Sequence, residues 1–129
     1  MEDIIDALRN IPDYIGSSGR TKETILAAEL SLGIAFADDY RQYLEEIGLA
    51  CFDGHELTGL TDITRLDVIV VTKEQRGINP NITATWYVVE HTNIDGIIIW
   101  QDRMGCVYQA PSSGLPTKIA NCLLEYIKL

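Results

Sequence analysis

The sequence predicts an α+β domain, an antiparallel β-meander packed with N-terminal helices and a C-terminal helix. Three observations lead there. Apolar residues recur at helical spacing three times before Gly48. Beyond Gly48 the period changes, and Asp53-Gly54 and Asp95-Gly96 punctuate strand-like runs. The chain then closes on another helix-spaced segment. Helices, then strands, then a helix is the order of an antiparallel sheet with helices packed against it.

Residues 3 to 11 read as a short helix, with Ile4, Ile5, Leu8 and Ile11 at spacings of three and four. Pro12 and Gly16-Ser17-Ser18-Gly19 end it in a loop. No strand precedes those glycines and no Gly-Lys-Ser/Thr follows, so they read as a linker and not as a phosphate cradle. A second helix spans Lys22 to Leu32, with Ile25, Ala28 and Leu32 on one face and Gly33 as its stop. A third starts near Asp38, where Tyr40, Tyr43, Leu44 and Ile47 form an apolar stripe that Gly48 closes. Leu49 to Phe52 reads as a short strand, with Glu56 to Leu60 pairing back across the Asp53-Gly54 turn. Residues 67 to 76 join strand-like Val68-Ile69-Val70-Val71 to a cap-like Asp67 and a polar end, and read as either strand or helix. Thr85–Thr92, Gly96–Gln101 and Cys106–Ala110 read as three strands of the meander. Ile97-Ile98-Ile99-Trp100 does not alternate, so that strand is expected to be covered on both faces. Pro111 to Pro116 is a loop, and a last helix is expected to turn Ile119, Leu123, Tyr126 and Ile127 inward.

A chain of 129 residues, 47% hydrophobic and 22% charged, is long enough for one ordinary core, and a single domain over 1–129 is expected. The formal net charge of −9 argues against a protein that tracks nucleic-acid phosphates or rests on anionic lipid. It suits a basic partner. Asp3, Asp6 and Arg9 interrupt the first apolar positions, so no secretory signal is read, and no run approaches a membrane span. Cys51, Cys106 and Cys122 are odd in number and lack a CxxC pair, which suits free thiols in a cytoplasmic protein.

Catalytic chemistry is poorly signalled. The sequence holds no HExxH, GxSxG, P-loop or dinucleotide fingerprint. Cys51 and His55 lie close enough for a thiol–base pair, but nothing supplies a third group or an oxyanion site. Glu90 and His91 are strand neighbours and point to opposite faces. No enzyme, metal site or cofactor is expected. An aromatic cleft near Trp86 or Trp100 is a separate route to small-ligand binding. Trp86 and Tyr87 face opposite sides of the sheet, and Tyr40 and Tyr43 belong to the helix stripe.

Charge is uneven. Between Asp38 and Asp62 lie seven carboxylates and one basic residue, Arg41, giving −6 of the total −9. Asp38 and Asp39 sit in the first turn of the third helix, where the helix dipole favours anions. Arg41 and Glu45 are spaced as an i,i+4 pair. Glu46 lies in the last turn, against the dipole, and Asp53 and Glu56 follow at once. Carboxylates set against local preference mark a candidate contact surface, here Asp38, Glu45, Glu46, Asp53 and Glu56, with Phe52 as an apolar anchor. Such a concentrated negative field speeds encounter with a basic protein.

The order of short motifs resembles the SUKH superfamily, which includes bacterial immunity proteins and yeast cell-wall-assembly regulators. Matching positions are Glu29, Leu32-Gly33, Asp39-Tyr40, Tyr43-Leu44, Gly48, Gly54, Leu57, Gly59-Leu60, Asp67 and Thr72 to Arg76. Asp95-Gly96, Gly105, Val107-Tyr108 and the final helix to Tyr126 continue the pattern. Phe36-Ala37 replaces the usual Leu-Pro, and Ile47-Gly48-Leu49 the usual Asn-Gly-Gly. The resemblance implies a helix over residues 67–76, and a non-catalytic protein that neutralises a secreted bacterial toxin by tight binding. The partner implied is a cognate, basic toxin such as a nuclease, with neither nucleic acid nor membrane bound directly. Two alternatives stay open: a regulatory or scaffold protein with an endogenous protein partner, and a small-ligand-binding module.

Overall fold

The computed structural model describes residues 3–129. Helix α1 spans Ile4–Arg9, with the Asp3 carboxylate accepting from the Asp6 N–H at 2.9 Å. Helix α2 spans Lys22–Leu32, capped by Thr21 and stopped by Gly33 at φ 67°. Helix α3 spans Asp38–Glu46 and buries Tyr40, Tyr43 and Leu44. Gly48 follows at φ 80°. A Cβ at Gly48 would meet the Arg20 guanidinium and the Ser18 carbonyl, so both torsion and space require glycine there.

Strands β2 (Ala50–Phe52) and β3 (His55–Glu56) form the expected hairpin. Asp53 and Gly54 occupy its two-residue loop at φ 46° and 81°, the double positive φ of a type I′ turn. The glycine-serine stretch is not all loop. Ile15–Gly16 form strand β1, which pairs antiparallel with Ala50 and Cys51 to complete a three-stranded sheet. Two residues are too few to carry a period, so only the partner from elsewhere in the chain reveals this strand. A 3₁₀ turn at Thr64–Leu66 leads into helix α4, Val68–Ile78, with Asp67 at its N-cap position. The segment is therefore helix.

The meander is present as β4 (Tyr87–His91), β5 (Ile97–Gln101) and β6 (Val107–Pro111). A fourth strand, β7 (Thr117–Ala120), extends it in the order β4-β5-β6-β7. The expected final helix is thus shorter, with α5 confined to Leu123–Ile127. Ile119 lies on the new strand. Helical spacing from Ile119 to Leu123 misleads because Thr117–Ala120 gains ladder hydrogen bonds from β6.

Both faces of β5 are covered, as its unbroken apolar run requires. Ile99 joins the large core formed with α1, α2, α3 and α5. Ile98 and Trp100 join a smaller cluster with Val88, Ala110 and Val71 of α4. Helix α4 serves both, sending Val68 into the first cluster and Val71 into the second. On β4 the register shifts between Val88 and Glu90. Val88 pairs with Trp100 and Glu90 with Ile99, so the extra residue Val89 leaves Val89 and Glu90 both facing the large core.

Three buried tyrosines tie these layers together. Tyr43 of α3 donates to the Thr58 carbonyl at 2.8 Å and accepts the Ala50 N–H at 3.0 Å. Thr58 gives its one hydroxyl proton to the Val88 carbonyl, so the Tyr40 phenol must donate to Thr58 Oγ1, 2.8 Å away. Tyr87 donates to Gln101 Oε1 at 2.6 Å and accepts the Ala37 N–H at 2.9 Å. Burial pushes all three phenols well above the ordinary tyrosine range.

Thr58→Val keeps the volume and leaves the Tyr40 phenol without its acceptor. It should lower unfolding free energy by about 1–3 kcal/mol in urea titration. Two glycines should respond oppositely to alanine. A Cβ at Gly59 would sit 2.0 Å from the Gly48 carbonyl oxygen, whereas one at Gly77 in α4 meets nothing within 4 Å. Gly59→Ala should cost about 3 kcal/mol by overpacking. Gly77→Ala should add about 0.5–1 kcal/mol by helix propensity in the same titration.

Candidate functional site

The carboxylates singled out in the sequence fall into two groups. Asp38, Glu45 and Glu46 lie along the outer side of α3, because Tyr40, Tyr43 and Leu44 occupy its inner side. Asp53 and Glu56 lie on the β2–β3 hairpin. Among the described residues no hydrogen bond or ion pair joins the two groups.

On α3 the charges are not paired as sequence spacing suggests. Arg41 turns to Glu29 of α2, with Nη2 2.7 Å from a carboxylate whose side chain is 12% exposed. That hydrogen bond holds the guanidinium above its ordinary pKa. Glu29 also accepts the Phe36 N–H at 2.8 Å, fixing the turn between α2 and α3. A second, looser contact joins Arg41 to the fully exposed Asp38 at 3.4 Å. The expected Arg41–Glu45 pair is therefore replaced, since Glu29 offers a partly buried partner that water competes for less. Gln42 Nε2 lies 3.4 Å from Glu46, and among the described residues no ion pair reaches Glu45 or Glu46. Both remain at the negative end of the helix dipole. Asp39 is structural. It accepts from Gln101 Nε2 at 3.0 Å and from the Leu123 N–H at 2.8 Å, anchoring the start of α5.

On the hairpin, Asp53 is exposed at the tip. Glu56 is held by Arg65 in a two-pronged pair at 2.7 and 2.9 Å, which draws its carboxyl below the ordinary range. Phe52 is 3% exposed and belongs to the large core, so it is withdrawn as an apolar anchor. Strand alternation turns Phe52 inward, and its ring stacks on His55 at 5.4 Å.

His55 does not meet Cys51. The hairpin register sets Cys51 opposite Glu56 and Phe52 opposite His55. The His55 imidazole instead donates through Nδ1 to Glu90, 3.0 Å away. Glu90 is buried to 3% exposure and also accepts from the Tyr126 phenol and the Glu56 N–H. Burial and the adjacent carboxylate push the Tyr126 phenol far up. This cluster joins hairpin, meander and α5. Through this hydrogen bond the histidine fastens the hairpin to the meander. His91 points the other way and lines a cavity of about 350 Å³ with Arg65, Val70 and Glu74.

The two tryptophans considered for an aromatic cleft sit in different surroundings. Trp100 is fully buried, and Trp86 stacks face to face on Tyr108 at 3.9 Å. The Tyr108 phenol donates to Asp102 at 2.9 Å and is pushed up to about 12 by burial and that carboxylate. No group of three or more His, Cys, Asp or Glu that could hold a metal ion occurs among the described residues. Nor is any described helix long and apolar enough to cross a membrane. Between α2 and α3 runs an open groove whose walls include Leu26, Glu29, Arg41 and Glu45.

The pattern of the SUKH_5 family, described as SMI1-KNR4 cell-wall, matches residues 1–128. The chain belongs to the SUKH superfamily. No curated protein matches it. The general role of SUKH proteins is toxin immunity, and they are typically non-catalytic binders of a toxin-type protein. In this SUKH domain the sequence missed Glu90 as a structural hub. The available signal was one carboxylate inside the apolar run Tyr87–His91. Pairing of Arg41 with Glu29 had no local signal, because the two residues lie on different helices.

The Glu56–Arg65 pair gives a pH test. Its carboxyl is lowered, so its stabilisation is present above the ordinary value of 4.5 and disappears as pH falls through the folded value. Both partners are partly solvated, so Glu56→Gln should cost less than about 1 kcal/mol at pH 7. The difference from wild type should vanish in denaturation carried out well below pH 4.5.

Proposed function

We propose that this SUKH protein is a cytoplasmic immunity protein that binds a cognate secreted toxin and covers a basic site on it through the acidic face of α3. The observation that carries this reading is the state of Glu45 and Glu46. They stand at the C-terminal end of α3 with no ion pair among the described residues, because Arg41 is committed to Glu29 and reaches Glu45 only as a nearby charge. Carboxylates only partly compensated against a helix dipole cost stability unless a positive surface meets them. Asp38 extends the same face, and Asp53 adds a second contact at the hairpin tip. Glu56 contributes less, because Arg65 already neutralises it. A nuclease suits the partner's role, since a surface that receives phosphates is basic.

The test uses the polypeptide encoded in the adjacent reading frame, co-expressed and purified with the chain. Glu45→Lys/Glu46→Lys should slow association about 10-fold or more at low salt, with a smaller change in dissociation rate. Wild-type association should fall as ionic strength rises, and the reversed variant should be nearly insensitive. Stopped-flow rates that are equal for both proteins would overturn the acidic-face reading. The family description leaves one rival, a regulator of an endogenous partner. A neighbouring product that is harmless to cells lacking the chain would favour that rival.

A further inference from the structure

Arg41 is the only basic residue between Asp38 and Asp62, and it stands on the helix that carries the acidic face. Left to α3 alone it would neutralise that face, since Asp38 lies one turn before it and Glu45 one turn after. Glu29 of α2 prevents this. Its carboxylate takes Arg41 Nη2 at 2.7 Å, and the Phe36 carbonyl accepts from the same nitrogen at 3.3 Å. Glu29 is itself fixed in place, because it also accepts the Phe36 N–H. Asp38 keeps only the loose contact with Arg41, and Glu45 makes no ion pair among the described residues. Arg41 and Glu45 nevertheless line one groove, so the guanidinium has only to turn to reach Glu45. Lys22 shares that groove, and among the described residues no ion pair joins it to Glu29 or Glu45.

We propose that Glu29 is a positioning residue of the acidic face: it holds Arg41 away from Glu45 and so keeps that face negative. Carboxylates on two helices compete for one cation. Glu29 wins because its side chain is 12% exposed, so water competes less for the guanidinium than it does at the fully exposed Asp38. Without the charge on Glu29, the partners left to Arg41 on its own helix are Asp38 and Glu45. Glu45 is half-buried, so the same solvation argument sends Arg41 to it. One carboxylate behind the surface thus sets the charge that the surface presents. This proposal rests on the toxin-binding reading and adds to it what maintains the negative field.

The closing experiment is a double-mutant cycle on association rate, read by stopped flow at low salt with the adjacent-frame polypeptide. Glu45→Gln should slow association about 2-fold in the wild-type chain and leave it nearly unchanged in Glu29→Gln, where Arg41 already covers Glu45. Simple loss of the Glu29 charge, or a loosened turn at Phe36, predicts the same factor in both chains. Equal factors would therefore overturn the positioning role and leave the acidic-face reading standing. Arg41→Gln gives a second arm that does not depend on the folding of Glu29→Gln. There Glu45→Gln should still slow association about 2-fold. A clearly larger factor would mean that Arg41 already screens Glu45 in the wild type, and would overturn the proposal. A wild-type rate that neither Glu45→Gln nor rising salt alters would overturn the acidic-face reading and the proposal with it.

Discussion

Every phenol placed in the large core must find a hydrogen-bond partner there, and this requirement sets how the layers meet. Tyr40 and Tyr43 enter from α3, and Tyr87 from β4. A buried hydroxyl without a partner costs more than a made bond returns. Thr58 answers two of them at once, with its hydroxyl for Tyr40 and its carbonyl for Tyr43. Gln101 answers the third and passes the chain on to Asp39 and α5. The outer face of α3 is therefore held rigidly with respect to the sheet. A binding surface built on such an element loses little entropy on docking.

A bulge on β4 makes the second junction. Strict alternation would send Glu90 toward the side of Trp100 and α4, away from His55 and Tyr126. The extra residue at Val89 returns it to the large-core side, beside His55, Tyr126 and the Glu56 N–H. A carboxylate that is 3% exposed is tolerated because three donors surround it. The same shift turns His91 to the opposite face, toward α4. One inserted residue thus decides which of two neighbouring ionisable side chains enters the large core.

Charge on this protein divides by whether a partner lies within reach. Glu29 and Glu56 have arginines, and Glu90 has a histidine and a phenol. These groups fasten elements together. Glu46 and Asp53 have no ion pair among the described residues and are exposed, and the half-buried Glu45 feels Arg41 only as a nearby charge.

Much of the fold was legible in the order of residues. The helical stripes of α2 and α3, with Gly33 and Gly48 as stops, repeat within a few residues, so local geometry is enough to define them. The same holds for the Asp53-Gly54 hairpin and for the unbroken apolar strand at Ile97–Trp100. The acidic stretch was also visible, and so was the outward setting of Glu45 and Glu46. What remained hidden depended on partners distant in sequence. Ile15–Gly16 became a strand because Ala50–Cys51 lay alongside, and Thr117–Ala120 because β6 did. Phe52 went inward, Arg41 chose Glu29 over Glu45, and Glu90 became a hub through contacts that only the folded chain supplies. Periodicity fixes which side of an element is apolar, but long-range approach decides which polar groups find one another.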